Sequence, residues 1–185
     1  DGDLWVSYSV NKEDMWISRI PVPVEINASA HADDDFSKNK SIAELTDWNI
    51  YSPVWAPVSL EDQWLKLQDK DPFDYAKVER KIPASKELKV SFDLKAGQNN
   101  KGTLHIEFLD ENGIACSRIE LTDDGIFRLK GGSRFANMMK YEAGKIYHVE
   151  AVLSTVDRNI QVYVDGKRVG LRMFYAPVAA VERIV

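Results

Sequence analysis

The chain has 185 residues, of which 44% are hydrophobic and 29% charged, and it carries a net charge of −5. That length suits one domain of ordinary size with some residues to spare, and that composition suits a globular protein. The negative balance and the lack of a Lys/Arg cluster argue against a nucleic-acid module, and no apolar run approaches the roughly 20 residues of a membrane-spanning helix.

The first predicted element is a hairpin. Leu4–Val10 is rich in aromatic and β-branched residues, Asn11-Lys12-Glu13-Asp14 makes a polar turn, and Met15–Ile20 returns. Pro21-Val22-Pro23 then stops ladder pairing, because proline lacks the donor. The hairpin region is taken as residues 1–27 and an acidic linker as 28–47. The linker holds Asp33-Asp34-Asp35 and a short predicted helix, Ser37 to Leu45, with Ile42 and Leu45 on one face. The stretch WNIYSPVWAP follows at 48–57, and its two prolines exclude a central strand. It reads as a seam with Trp48 and Trp55 packed between segments, so Trp55→Ala is expected to lower the melting temperature.

From about residue 60 the apolar pattern has a period of two. Trp64–Leu67 is a short strand. Ala76, Val78 and Ile82 share one side of the next, and Leu88, Val90, Phe92 and Leu94 alternate with Lys89, Ser91 and Asp93. The same holds for Leu104, Ile106 and Phe108, for Ser117, Ile119 and Leu121, for Tyr147 to Leu153, and for Ile160, Val162 and Val164. Such alternation marks half-buried antiparallel strands. Asn112-Gly113, Asp124-Gly125 and Asp165-Gly166 supply hairpin turns that need positive φ. Short strands with turn signals roughly every 8–12 residues give an all-β antiparallel sandwich over residues 48–185. The one cysteine, Cys116, forms no internal disulfide and is expected on a polar strand face at an edge. The start at Asp1-Gly2-Asp3 and the β-rich end Val181–Val185 suggest a piece of a longer polypeptide.

Two resemblances add to this. Tyr141–Val149 followed by Ile160-Gln161-Val162-Tyr163-Val164-Asp165-Gly166-Lys167 resembles the late hairpin of concanavalin A-like, laminin-G-type jelly rolls. Trp64–Asp69 and Tyr75–Arg80 resemble the early strands of that family. The fold it implies hosts lectins, glycosidases, lyases and spacers, so it does not choose among them. Residues 1–20 resemble the last hairpin of a sialidase-like, BNR-type β-propeller, although the Asp-box S-x-D-x-G-x-x-W is absent and Thr122–Phe127 has the wrong spacing. A propeller followed by a jelly roll is similar to secreted polysaccharide-degrading proteins of Bacteroidetes. This implies an extracytoplasmic location and a preceding propeller as partner.

The candidate site residues follow from chemistry. Trp48, Tyr51, Trp55 and Trp64 offer rings for stacking on apolar sugar faces, against the plainer reading as core. Arg80 shares a face with Ala76, Val78 and Ile82, where a charge needs a partner; it either pairs with a carboxylate or lines a binding face. Asp69 and Asp71 are candidate calcium ligands, in a loop that departs from an EF-hand by lacking its glycine and closing glutamate. His31, His105 and His148 show no zinc spacing. No E-x-D-x-x-E run marks a glycosidase strand, and Glu107 and Asp110 read as surface charges. The leading reading is an accessory carbohydrate-binding or structural module without its own catalysis or required cofactor. A sandwich that is itself a hydrolase or lyase, and an inert spacer, are the alternatives.

Overall fold

The computed structural model describes residues 3–10, 14–20, 32–70 and 73–185. The strands run in chain order as β1 (Leu4–Val10), β2 (Asp14–Ile20), β3 (Trp48–Tyr51), β4 (Val58–Glu61), β5 (Trp64–Leu67), β6 (Lys77–Ser85), β7 (Glu87–Lys95) and β8 (Leu104–Leu109). They continue as β9 (Ala115–Leu121), β10 (Ile126–Gly131), β11 (Arg134–Lys140), β12 (Ile146–Ser154), β13 (Asn159–Val164), β14 (Lys167–Met173) and β15 (Val181–Ile184). A seven-stranded sheet has the order β11-β10-β9-β8-β15-β6-β3, and a four-stranded sheet the order β14-β13-β12-β7. Among the described residues every pairing is antiparallel. The fold is therefore the all-β antiparallel sandwich that the period-two pattern predicts.

The core lies between the two sheets. Ile106 and Phe108 of β8, Ile119 of β9, and Phe127 and Leu129 of β10 meet Val149, Ala151 and Leu153 of β12 and Ile160 and Val162 of β13. Apart from Ala151, each such side chain contributes roughly 1.5–3 kcal/mol by leaving water. The Phe127 ring sits edge-on to Tyr141 and Tyr147, with centroids 5.6 and 5.7 Å away. At one margin the sheets come close because two glycines carry no side chain there. A Cβ on Gly131 would stand 2.5 Å from Arg172 Cβ, and one on Gly170 would stand 2.6 Å from Met138 Sδ. The expected turns form as well: Asp165 and Gly166 both have positive φ, 49° and 77°, which matches the twist of the β13–β14 hairpin.

Several expectations need correction. The predicted helix from Ser37 to Leu45 is one short 3-10 turn, Ile42–Glu44, and Ser41 makes no side-chain cap there. The segment is held instead by tertiary contacts, through Leu45, which is buried, and Phe36, whose ring lies 5.8 Å from that of Trp48. The seam reading of 48–57 holds for Trp48, which is half-buried in the edge strand β3, but not for Trp55, which is 67% exposed. Trp55→Ala is therefore expected to change stability by less than about 0.5 kcal/mol, checked by thermal unfolding.

Cys116 is corrected too. It lies on β9 between β8 and β10, fully buried, because Tyr175 crosses beside it and donates its backbone N–H to the Cys116 carbonyl at 3.0 Å. Burial pushes its thiol up to about 12. A disulfide reagent at pH 8 is expected to label Cys116 only after denaturant is added, since the thiolate is the reactive form; rapid labelling of the folded chain would contradict this.

Candidate functional site

The seven-stranded sheet has a second face, turned away from the core. Strand alternation sends Phe127 and Leu129 inward and therefore Arg128 and Lys130 outward. Register extends this across the sheet. Arg128 pairs with Glu120 and Lys130 with Arg118 between β10 and β9, and His105 pairs with Glu120 and Glu107 with Arg118 between β8 and β9. On β15 and β6, Arg183 stands opposite Lys81, and Glu79 pairs with Asn49 of β3. One polar face thus runs from β11 to β3.

Its centre is a lattice of charges. Arg118 Nε and Nη2 donate to Glu107 Oε1 at 2.6 and 2.5 Å. Its Nη1 reaches Glu120 Oε1 at 3.4 Å, and Arg128 Nη2 reaches Glu120 Oε2 at 3.1 Å. His105 Nε2 lies 3.4 Å from Glu120 Oε1. The Glu120 side chain is only 5% exposed, whereas Arg128 and His105 are 36% and 46% exposed. Burial works against the Arg118 charge, but its hydrogen bond to Glu107 and that carboxylate's charge prevail and hold the guanidinium above its usual range. Burial, then the charge of Arg118, lowers the His105 imidazole below its usual range. Nearer β6, Glu79 takes Lys77 at 3.2 Å and Arg183 at 3.6 Å.

Aromatic rings stand at both ends of this face. On β3, the Tyr51 hydroxyl donates to Asp74 at 3.0 Å and its ring lies 5.5 Å from Tyr75. That hydrogen bond, with some burial, raises the Tyr51 hydroxyl above its usual value. On β11, Phe135 lies beneath the Arg128 guanidinium at 5.1 Å and the Lys130 ammonium at 5.4 Å, and Lys130 also lies 4.6 Å from the Tyr175 ring centre. Phe135 continues into an open depression of about 680 Å³ that Arg134, Leu171 and Arg172 also line.

One family model, described as a sialidase-like CBM domain, matches residues 48–185. The chain belongs to that family. A solved structure described as a sialidase is 89% identical with a TM-score of 0.90; the match covers 100% of this chain and 17% of that one. The chain thus spans about a sixth of the length of that sialidase. Sheep galectin-11 in complex with glycerol is 16% identical, with a TM-score of 0.45 over 57% of this chain and 85% of its own. Caenorhabditis elegans galectin LEC-6 is 15% identical, with a TM-score of 0.43 over 57% and 79%. No curated protein matches the chain.

The residues expected as a site are not brought together. Tyr51 is on the polar face, but Trp48 points to the opposite side of the same strand, beside Arg80. Trp55 is exposed outside the sheet, and Trp64 is half-buried on the β4–β5 ribbon. Arg80 is 4% exposed on the inner side, where its Nε donates to Asp34 at 2.9 Å and its Nη2 to Asp47 at 3.3 Å. These two carboxylates come from the linker and not from a strand next to Glu79. Asp69 is exposed in the loop after β5, while Asp71 and His31 lie outside the described residues. Asp110 serves its own turn, accepting from the Asn112 and Ile114 amides at 2.9 and 2.8 Å. The residues missed are Arg118, Glu120, Arg128, Lys130, Phe135 and Tyr175. The signal for Arg128 and Lys130 was present in Ile126-Phe127-Arg128-Leu129-Lys130, another apolar/polar alternation after Asp124-Gly125.

Proposed function

We propose that the sandwich is an accessory carbohydrate-binding module of a longer, secreted carbohydrate-active protein, and that it holds glycan on the outer face of the seven-stranded sheet. The observation that carries this reading is the lattice of Glu107, Arg118, Glu120 and Arg128. Sugar hydroxyls need donors and acceptors fixed in direction, and paired Arg and Glu side chains on a rigid sheet offer both. Phe135 and Tyr51 add apolar faces for sugar rings at either end. Binding is favoured over hydrolysis because Arg118 occupies the gap between Glu107 and Glu120, where a scissile bond would have to sit.

The β1–β2 ribbon supports the companion proposal that a propeller precedes this module. Two strands alone are marginal in water, and Leu4, Trp5, Met15 and Ile17 are 50%, 65%, 75% and 70% exposed. Those side chains suit packing against a sheet of the longer polypeptide.

Calorimetric titration of the chain with a panel of oligosaccharides, alongside a reducing-end assay, tests the main reading. Binding without turnover is expected. Arg118→Lys keeps the charge but loses the forked hydrogen bonds, and should weaken binding about tenfold, whereas Trp55→Ala should not alter it. Release of reducing ends would favour a hydrolase, and no binding at millimolar glycan would remove the reading.

A further inference from the structure

We infer that β7 is a self-association edge, to which a second copy of this chain adds its own β7, antiparallel, about a two-fold axis at Ser91. The two large sheets end in four edge strands, β11, β3, β14 and β7, and three of these are blunted. β11 and β14 each pair with a register shift, and β3 is four residues long and followed by Pro53. β7 has nine residues, contains no proline or glycine, and pairs with β12 without a shift. The carbonyls of Lys86 and Ala96, just outside its two ends, accept from the β12 side, from Thr155 and Gly144. Backbone groups alternate in direction along a strand, so the N–H and C=O groups of Glu87, Lys89, Ser91, Asp93 and Lys95 point away from β12. Among the described residues no other strand takes them.

The order of charges along β7 selects the occupant. Antiparallel pairing about Ser91 sets Glu87 of one copy against Lys95 of the other, and Lys89 against Asp93. A slip of two residues one way opposes Glu87 to Asp93, and the other way Lys89 to Lys95, so like charges exclude both neighbouring registers. On the inner side Leu88 meets Leu94 and Val90 meets Phe92. These four face the core yet stay only half-buried in the single chain, and an added strand covers them. Lys89 and Asp93 are 64% and 59% exposed, and their present contacts, Glu150 at 2.7 Å and His148 at 2.8 Å, both lie on β12. The free edge therefore keeps room for the cross-copy pairs. The two-fold axis crosses the joined sheet, so the outer faces of both seven-stranded sheets point the same way.

Sedimentation velocity of the whole chain, from micromolar to millimolar concentration, tests this. A monomer–dimer equilibrium is expected. Lys89→Asp and Asp93→Lys should each weaken it about tenfold, because each sets like charges opposite one another at two symmetric places. The double variant should recover it, and so should an equimolar mixture of the two single variants, since both arrangements restore every opposite pair. Melting temperatures should stay near the parent's, because both side chains are exposed. A measurement on the native chain needs no variant: hydrogen exchange at the Lys89, Ser91 and Asp93 amides should slow as concentration rises. A chain still monomeric at millimolar concentration overturns the inference. So do edge amides whose exchange ignores concentration, and a dimer indifferent to both charge reversals, as association through the exposed β1–β2 ribbon would be. The glycan reading stands in each of those cases.

Discussion

Replacing Phe127 with Ala is expected to cost about 3–5 kcal/mol, the range for truncating a large buried aromatic. Phe127 is fully buried, and its removal would leave Tyr141 and Tyr147 without the ring they pack against edge-on. A loss of that size lowers the melting temperature by roughly 10–15 °C in a chain of this length. The denaturation midpoint should fall with an unchanged slope. The effect should reach the polar face as well, because Phe127 on the inner side of β10 fixes the strand that carries Arg128 and Lys130 on its outer side. Phe127→Leu, which keeps most of the volume, should therefore weaken glycan binding less than Phe127→Ala under conditions where both are folded. A Phe127→Ala protein within 1 kcal/mol of the parent, using the lower bound of that range as reference, would mean that the ring is not a keystone of this core.

The second large effect is expected at Glu120. Its carboxylate is nearly buried and answers Arg118, Arg128 and His105 together. Removing one member of a buried ion pair costs about 3–5 kcal/mol when the abandoned charge stays dry. Here Arg118 and Arg128 are 25% and 36% exposed, so water takes up part of the loss, and Glu120→Ala should cost about 2–3 kcal/mol, below that range. Molar salt should recover part of it by screening the freed cations. Glu120→Gln keeps an acceptor and should cost less. A Glu120→Ala chain as stable as the parent would show that the lattice contributes direction to ligand contacts and nothing to folding.

The fold was legible in the sequence because a two-residue period survives wherever one face of a strand is buried. Leu88 to Leu94 and Ile160 to Val164 show it, and both are strands of the four-stranded sheet. The polar face was not legible, for the same physical reason. Arg118, Glu120 and Arg128 occupy the outward positions of ordinary alternation, so each reads as a solvated surface charge. Only register brings them together, and register is set by pairing between distant strands. Aromatic content does not point to this face: Trp55 is prominent in sequence and exposed outside the sheet, while Phe135 sits in the unremarked run Arg134–Lys140. Arg80 shows what could be read: a charge in an apolar register demanded a partner, though Asp34 and Asp47 come from the linker.

The clamp of Arg80 on Asp34 also sets a leash. From Ile20, the end of the β1–β2 ribbon, to Asp34 there are fourteen residues. A fully extended chain spans about 3.3–3.6 Å per residue, so the ribbon cannot stray beyond roughly 50 Å from that anchor. Were the ribbon to pack on a sheet of the longer polypeptide, as proposed, a glycan held on the sandwich would be presented to that sheet at a local concentration on the order of millimolar. Under that arrangement even weak attachment would keep a polymer within working distance of its neighbour.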